Sequence, residues 1–333
     1  MSTEYENPDN PFLKSELSDC FLVSVQTDNG TRSQYIEKKP IGTGGYSTVH
    51  HAYDTLLHRP VAVKIIPVGR EVLHNKGILQ GEHKKAILAE IKTQKSVDRY
   101  AVPIYTAYTI DDPQISNSLY QYDLMSSHQY ICITMHALNP EDNIGRITHK
   151  RRYSLPIDEV ISFGMQCADA LDYFFKKGLI FREWKSKNLF WQNRSALRVV
   201  DFGISSAVLE STEAFDNSGT LAYANPEQLT TPGWSDIRSD IYSIGCTLYE
   251  CIVGQTPLEW GLDPYFPVGG LDSDTQYRLE EALCARGISQ EGQNSCVVFF
   301  NTCFSSIENR FASGSMMKQS LRKIQSMGDL TRK

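Results

Sequence analysis

Short runs of β-type residues dominate the first third of the chain. Ser47-Thr48-Val49, Val61-Ala62-Val63-Lys64-Ile65-Ile66 and Gln129 to Met135 are rich in β-branched and apolar residues, which predicts strands. Between the second and third runs, His83 to Asp98 carries Ala86, Ile87, Leu88 and Ile91, a spacing that predicts one helix. Past residue 155 the period changes. Val160, Ile161, Met165, Ala168, Leu171, Phe174 and Phe175 recur at helical spacing, as do the apolar residues of Ile241 to Val253 and of Cys296 to Phe304. The pattern predicts an α+β chain, a small β-rich part followed by a larger helical one. The acidic residues 1–30, broken by Pro8 and Pro11, read as a polar arm. The charge run His149-Lys150-Arg151-Arg152 reads as a solvated loop.

Composition narrows the function classes. The 333 residues contain 33 Lys plus Arg against 39 Asp plus Glu, a net charge of −6. That balance gives no global attraction to nucleic acid or to an anionic membrane. None of the eight cysteines forms a C-x-x-C pair, and Cys132 sits within Tyr-Ile-Cys-Ile. They read as small buried hydrophobes in a reducing compartment rather than as a zinc site or disulfide framework. The N-terminus lacks the basic and apolar segments of a secretory signal. Ile241 to Val253 is too short to span a bilayer and contains Glu250. A cytoplasmic protein without nucleic-acid or membrane partners is expected.

The first chemical candidate is Ile41-Gly42-Thr43-Gly44-Gly45-Tyr46-Ser47-Thr48-Val49. Glycines let a backbone approach phosphates and present N–H donors to them. By itself the motif also fits a plain hairpin turn or a dinucleotide-binding loop. A dinucleotide loop should open into a helix, whereas β-type residues follow here and lead to Val61-Ala62-Val63-Lys64. The ending Gly-Lys-Ser/Thr of a P-loop is missing. Lys64 lies in an apolar strand, where an ammonium needs an anionic partner. Glu90 on the following helix is the best carboxylate, with Glu82 as the alternative.

The second cluster is the more specific. Residues 181–189 read Phe-Arg-Glu-Trp-Lys-Ser-Lys-Asn-Leu, and Val199-Val200-Asp201-Phe202-Gly203 follows. Here the chain resembles a eukaryotic-type serine/threonine protein kinase, whose catalytic loop runs H-R-D-L-K-x-x-N and whose metal motif is D-F-G. Arg182, Lys185, Asn188 and the whole of Asp201-Phe202-Gly203 match in spacing. Gly219-Thr220-Leu221-Ala222-Tyr223-Ala224-Asn225-Pro226-Glu227 resembles the end of a kinase activation segment. Ser239 to Gly245 resembles the buried helix after it, and Asn309-Arg310-Phe311 the late arginine that pairs with Glu227.

The resemblance implies a bilobal protein-kinase-like fold. It has an N-lobe over 31–138 after the arm of 1–30, a C-lobe over 139–328 and a tail of 329–333. It implies ATP and Mg2+ as cofactors and a protein substrate. Ile41, Gly42, Gly44, Gly45, Val49, Ala62, Met135 and Leu138 would surround the nucleotide, with Thr134 or Met135 controlling the bulk of its adenine site. Lys64 would contact phosphates and pair with Glu90, Asn188 and Asp201 would hold the metal, and Lys185 would approach the γ-phosphate. Lys185 and Thr220 favour Ser/Thr acceptors. Because a kinase core fills nearly all of the length, regulation is expected from the arm, from phosphorylation at Ser211, Thr212 or Ser218, or from a regulatory protein partner.

The departures set the alternatives. Glu183 stands where the family has the aspartate that accepts the substrate hydroxyl proton, and its extra methylene moves the carboxylate by about 1.5 Å. Displacement of about 1 Å can cost on the order of a hundredfold, which implies a slow kinase. Phe181 replaces a histidine, Trp184 a leucine, Ser186 a proline and Ser47 the third loop glycine. Gln94 stands where an apolar residue is expected. Glu183 and Gln94 together keep open a second reading, a pseudokinase that acts as an ATP-binding or scaffold module.

Overall fold

The structure, a computed structural model, describes residues 19–27, 30–44, 47–68, 80–111, 129–150, 155–202, 221–227, 236–257 and 269–326. The chain divides into two compact units. One comprises residues 1–95 with 102–138, and the other residues 96–101 with 139–333.

The first unit is built on six strands: β1 (Cys20–Thr27), β2 (Gly30–Gly44), β3 (Ser47–Asp54), β4 (Arg59–Pro67), β5 (Ile104–Asp111) and β6 (Gln129–His136). They pair antiparallel in the order β1-β2-β3-β4-β6-β5. The period-2 pattern sends Val61, Val63 and Ile65 into a core with Phe21, Val23, Ile36, Ala52, Tyr130 and Cys132. The sheet curls, because Tyr108 on the edge strand β5 donates its hydroxyl to Gln34 Oε1 on β2 at 2.7 Å. Gln34 Nε2 in turn donates to Thr134 Oγ1 on β6 at 3.1 Å, so the buried Gln34 and Thr134 and the half-buried Tyr108 satisfy one another inside the curl. Among the described residues one helix, α1 (Gln80–Ser96), belongs to this unit up to Lys95.

Two expectations for this unit need correction. The arm of 1–30 gives way at Cys20 to strand β1, whose Phe21 and Val23 are buried while Leu22 is exposed. That alternation supplies a core-facing side, and pairing with β2 from Cys20↔Glu37 to Thr27↔Gly30 satisfies the backbone groups that face β2. Gln94 is buried, but it is not misplaced: its Nε2 donates to the Val102 carbonyl at 2.8 Å.

The second unit contains α2 (Ile144–Lys150), α3 (Ile157–Lys176), α4 (Ile237–Val253), α5 (Ser273–Ala285), α6 (Gln290–Cys303) and α7 (Gly314–Ser326), with a hairpin of β7 (Leu189–Gln192) and β8 (Ala196–Val199). His149 and Lys150 lie in the last turn of α2 and not in a loop; the arginines after them lie outside the described residues. Helix α4 is the central element. All of its residues except Arg238 and Val253 are buried, and it is closed by Asp236, which accepts the Arg238 amide, and by Gly254 at φ 86°. Helix α7 docks on α3, where Asp172 Oδ1 accepts the Gly314 amide at 2.7 Å. Six of the eight cysteines are buried, Cys132 in the first unit and Cys167, Cys246, Cys251, Cys296 and Cys303 in the second. Burial pushes their thiols up, Cys296 to about 12, so at neutral pH they fill space as neutral groups.

Candidate active site

Within the first unit the strand register gathers one set of candidates on one face. Gly42 pairs with Val49, Val49 with Lys64, and Ala62 with Met135, and directly paired residues share a face. Thr134 pairs with Val63 and turns into the curl with Gln34, so Met135 and not Thr134 lies on the Lys64 side. Leu138 follows β6 and is half-buried, Ile41 is exposed on β2, and Gly45 lies outside the described residues. Lys64 Nζ bonds Glu90 Oε1 on α1 at 3.0 Å, with both side chains buried.

The glycine hairpin joins two strands rather than a strand and a helix. Gly42 and Gly44 are both exposed. A Cβ at Gly42 would meet only Val49 Cβ at 4.0 Å, and one at Gly44 only Ser47 atoms at 3.5 and 3.7 Å. Those are ordinary contacts, and neither glycine has a positive φ. Packing among the described residues does not demand glycine at either position, and an exposed backbone without a Cβ can be approached closely.

Within the second unit, the loop from Phe181 to Asn188 gathers the other set. Arg182 adopts φ 65° and Asp201 φ 64°, left-handed conformations that cost a non-glycine residue about 1–2 kcal/mol. Helix α4 holds the first of these in place. Asp240 Oδ2 accepts the Phe181 amide at 2.9 Å and Oδ1 the Arg182 amide at 2.8 Å. Thr247 Oγ1, two turns along, donates to the Trp184 carbonyl at 2.9 Å. Phe202 anchors the other, seated 5.0 Å from the Phe181 ring and 5.7 Å from Phe174. Trp184 closes this aromatic group, 5.4 Å from Phe181 and 5.8 Å from Phe174. A phenylalanine in place of the motif's histidine thus gives Phe202 an all-carbon partner.

Around these anchors the polar side chains converge. Lys185 Nζ bonds Glu183 Oε2 at 2.7 Å, and Asn188 Nδ2 donates to the Glu183 carbonyl at 3.2 Å and to Oε2 at 3.4 Å. Burial pushes the Glu183 carboxyl up, the Lys185 ammonium and its hydrogen bond pull it down, and the Asp201 charge pushes it up again. Asn188 spends its amide nitrogen on Glu183, which leaves its amide oxygen to accept a hydrogen bond or to coordinate a cation. With Asp201, which is exposed, it offers hard oxygen ligands of the kind Mg2+ takes. The segment 203–220, with Thr220 and the three modification candidates, lies outside the described residues. Beyond it, Arg310 grips Glu227 by two bonds of 2.9 Å, the pair expected from the motifs.

Four residues of α4 escaped the sequence reading as a functional set. Asp240, Ser243, Thr247 and Glu250 form a polar stripe along one face of a largely apolar helix, and all four are buried. Their spacing is the signal that reveals them: polar residues at successive helical turns inside an apolar run need partners on one side.

The sequence profile of the protein kinase domain matches residues 35–263. The chain belongs to the protein kinase family. Among curated proteins, this kinase domain is 30% identical to the probable serine/threonine-protein kinase of Clostridium perfringens, over 77% of this chain and 33% of that protein. It is 28% identical to the serine/threonine-protein kinase PknB of Mycobacterium leprae, over 65% of this chain and 32% of that one. The chain thus spans about a third of the length of these relatives. The crystal structure of the PknI kinase domain of Mycobacterium tuberculosis matches with a TM-score of 0.56 at 15% identity, covering 88% of this chain and 95% of that one. The fold is accordingly the bilobal α+β kinase fold, a small β-rich lobe with one main helix and a larger helical lobe. Among the described residues no helix is long and apolar enough to cross a membrane.

Proposed function

We propose that this chain is a serine/threonine protein kinase that transfers the γ-phosphate of ATP to a protein hydroxyl, slowly because Glu183 does the work of an aspartate. The observation that carries the proposal is the Glu183 carboxylate held by Lys185 and Asn188. A half-buried carboxylate with a fixed orientation can accept a hydroxyl proton, and its raised pKa makes it a better base once ionised. The acceptor class rests on Lys185, on Thr220 and on the names of the relatives.

The other roles follow from the groups present. Lys64, kept in place by Glu90, would neutralise phosphate charge, and Gly42 and Gly44 would let backbone N–H groups approach it. Val49, Ala62 and Met135 would supply apolar contact for the adenine. Asn188 and Asp201 would hold Mg2+, which when bound neutralises charge on the phosphate oxygens. Six buried cysteines suit a reducing compartment, the cytoplasm.

One observation favours the competing reading, an ATP-binding module that does not transfer phosphate. The 2.7 Å ion pair ties Glu183 to Lys185, so each side chain is engaged with the other. The two readings separate in a transfer assay with labelled ATP, run on wild type, Glu183→Asp, Glu183→Ala and Asp201→Asn. A kinase transfers label to protein, loses transfer in Asp201→Asn and gains speed in Glu183→Asp. A wild type that binds ATP yet transfers no more than Asp201→Asn is the non-transferring module.

A further inference from the structure

Helix α4 touches three pieces of chain that are far apart in sequence, and one carboxylate touches all three. Glu250 Oε1 accepts the Ser186 hydroxyl at 3.1 Å and the Thr148 hydroxyl at 3.3 Å, while Oε2 accepts the Tyr223 hydroxyl at 2.6 Å. Ser186 Oγ and Tyr223 OH are themselves 3.1 Å apart. Ser186 opens the turn Ser186–Asn188, directly after Lys185. Tyr223 closes the turn Leu221–Tyr223, at the end of the segment that resembles the activation segment. Its carbonyl is held as well, accepting the Ser243 hydroxyl at 2.8 Å.

We propose that Ser186 and Tyr223 are positioning residues for phosphoryl transfer: through Glu250 they set the turn Leu221–Tyr223 against the turn Ser186–Asn188, which follows Lys185 and contains Asn188. This inference rests on the kinase reading of the preceding section. Its physical basis is that both turns are referenced to one rigid element. Asp240 and Thr247 fix the start of the catalytic loop, Ser243 fixes the Tyr223 backbone, and Glu250 joins the two turns. All four side chains are buried on one helix, and a site built on a rigid element keeps tighter geometry than one built on loops.

The arrangement depends on serine at 186. The catalytic-loop motif has proline there, which has no hydroxyl to give, so Ser186 adds a link that the motif does not supply. Burial pushes the Glu250 carboxyl up, and the bonds from Tyr223, Ser186 and Thr148 pull it down. The three hydroxyls thus support the charged form, in which all of them can donate.

The test uses the full chain, labelled ATP, and two acceptors, dephosphorylated casein and the chain itself. Ser186→Ala and Tyr223→Phe should each lower kcat for transfer about tenfold, the scale of a displacement somewhat under 1 Å, with KM for ATP within about twofold of wild type. Ser186→Thr keeps a hydroxyl and should restore kcat to within about twofold. The double variant should lose less than the product of the single losses, since both hydroxyls serve one carboxylate. Thermal melting of each variant separates loss of transfer from loss of fold. Tyr223→Phe removes one oxygen from a half-buried ring and serves if Ser186→Ala does not fold. Wild-type kcat in both single variants overturns the proposal, as does failure of Ser186→Thr to rescue or a fully multiplicative double variant. A wild type that binds ATP but transfers to neither acceptor instead removes the kinase reading, and the positioning role with it.

Discussion

Asp240 accepts the amide of Arg182 at 2.8 Å while Arg182 stands at φ 65°. The pair couples a buried acid on the central helix to a strained residue that precedes Glu183. Left-handed backbone persists only where its surroundings over-determine it, and here the two carboxylate oxygens fix two consecutive amides. Replacing Asp240 by Ala should strand both N–H groups in the interior, at about 1–3 kcal/mol each. Urea unfolding should show the loss, and an unchanged midpoint would contradict the assignment.

The same acid gives a pH signature. Burial raises the Asp240 carboxyl from 3.8 to about 6, against the pull of its hydrogen bonds. The folded chain therefore binds a proton between those values that the unfolded chain releases. Its contribution to stability is fully present below the lower value and is lost as pH rises through the higher one. The stability of wild type relative to Asp240→Asn should grow as pH falls from 7 to 4, by about 1.4 kcal/mol per pH unit inside the window. Urea midpoints at four pH values measure it, and a pH-independent difference would refute it.

Glu183 predicts the pH dependence of transfer. Burial raises its carboxyl and Lys185 lowers it, and only the ionised form can take a proton. Activity should fall as pH drops through a value above the ordinary carboxylate range. Lys185→Met removes the nearby cation, so the acid limb of kcat/KM should move to still higher pH along with the loss of rate. A limb that stays in place would assign it to another group.

Much of this architecture was legible in the residues, and the gaps have physical causes. The strands of Val61 to Ile66 and Gln129 to Met135 showed themselves as near-continuous apolar runs buried on both faces, and the α3 helix by a buried stripe at helical spacing. Strand β5 was missed because Tyr105, Thr106, Tyr108 and Thr109 look polar until the curl brings Tyr108 to Gln34. The Lys64–Glu90 pair was legible from the cost of an unpaired ammonium in an apolar strand. Which of Thr134 and Met135 faces Lys64 was not, since that depends on a register set by a distant strand. Ser186 is 64 residues from Glu250, and a lone hydroxyl carries no mark of so remote a partner.

The ion pair itself gives a stability prediction. Lys64 and Glu90 have side chains only 10% and 4% exposed, so removing one leaves a charge in the interior. Lys64→Met or Glu90→Leu alone should cost about 3–5 kcal/mol. The double variant replaces the pair by apolar groups and should recover most of that loss. Denaturant melts of the three proteins decide it, and additive losses would show that the two charges do not depend on one another.

The contact of α7 with α3 turns on Gly314, and a pair of alanine substitutions tests it. A Cβ at Gly314 would lie 2.1 Å from the Ala168 carbonyl oxygen and 2.9 Å from Asp172 Oδ1. Neither neighbour can yield easily. The first is helix backbone, and the second already accepts the Gly314 amide at 2.7 Å. Gly314→Ala must therefore lift α7 off α3, at about 3 kcal/mol or more. Gly178 sits at φ 74° with nothing within 4 Å of its would-be Cβ. Gly178→Ala meets only the conformational penalty, about 1–2 kcal/mol. Urea midpoints should rank wild type above Gly178→Ala and Gly178→Ala above Gly314→Ala. The reverse order would mean that α7 contributes little to the stability of the helical unit, and that backbone conformation rather than close approach sets the need for glycine.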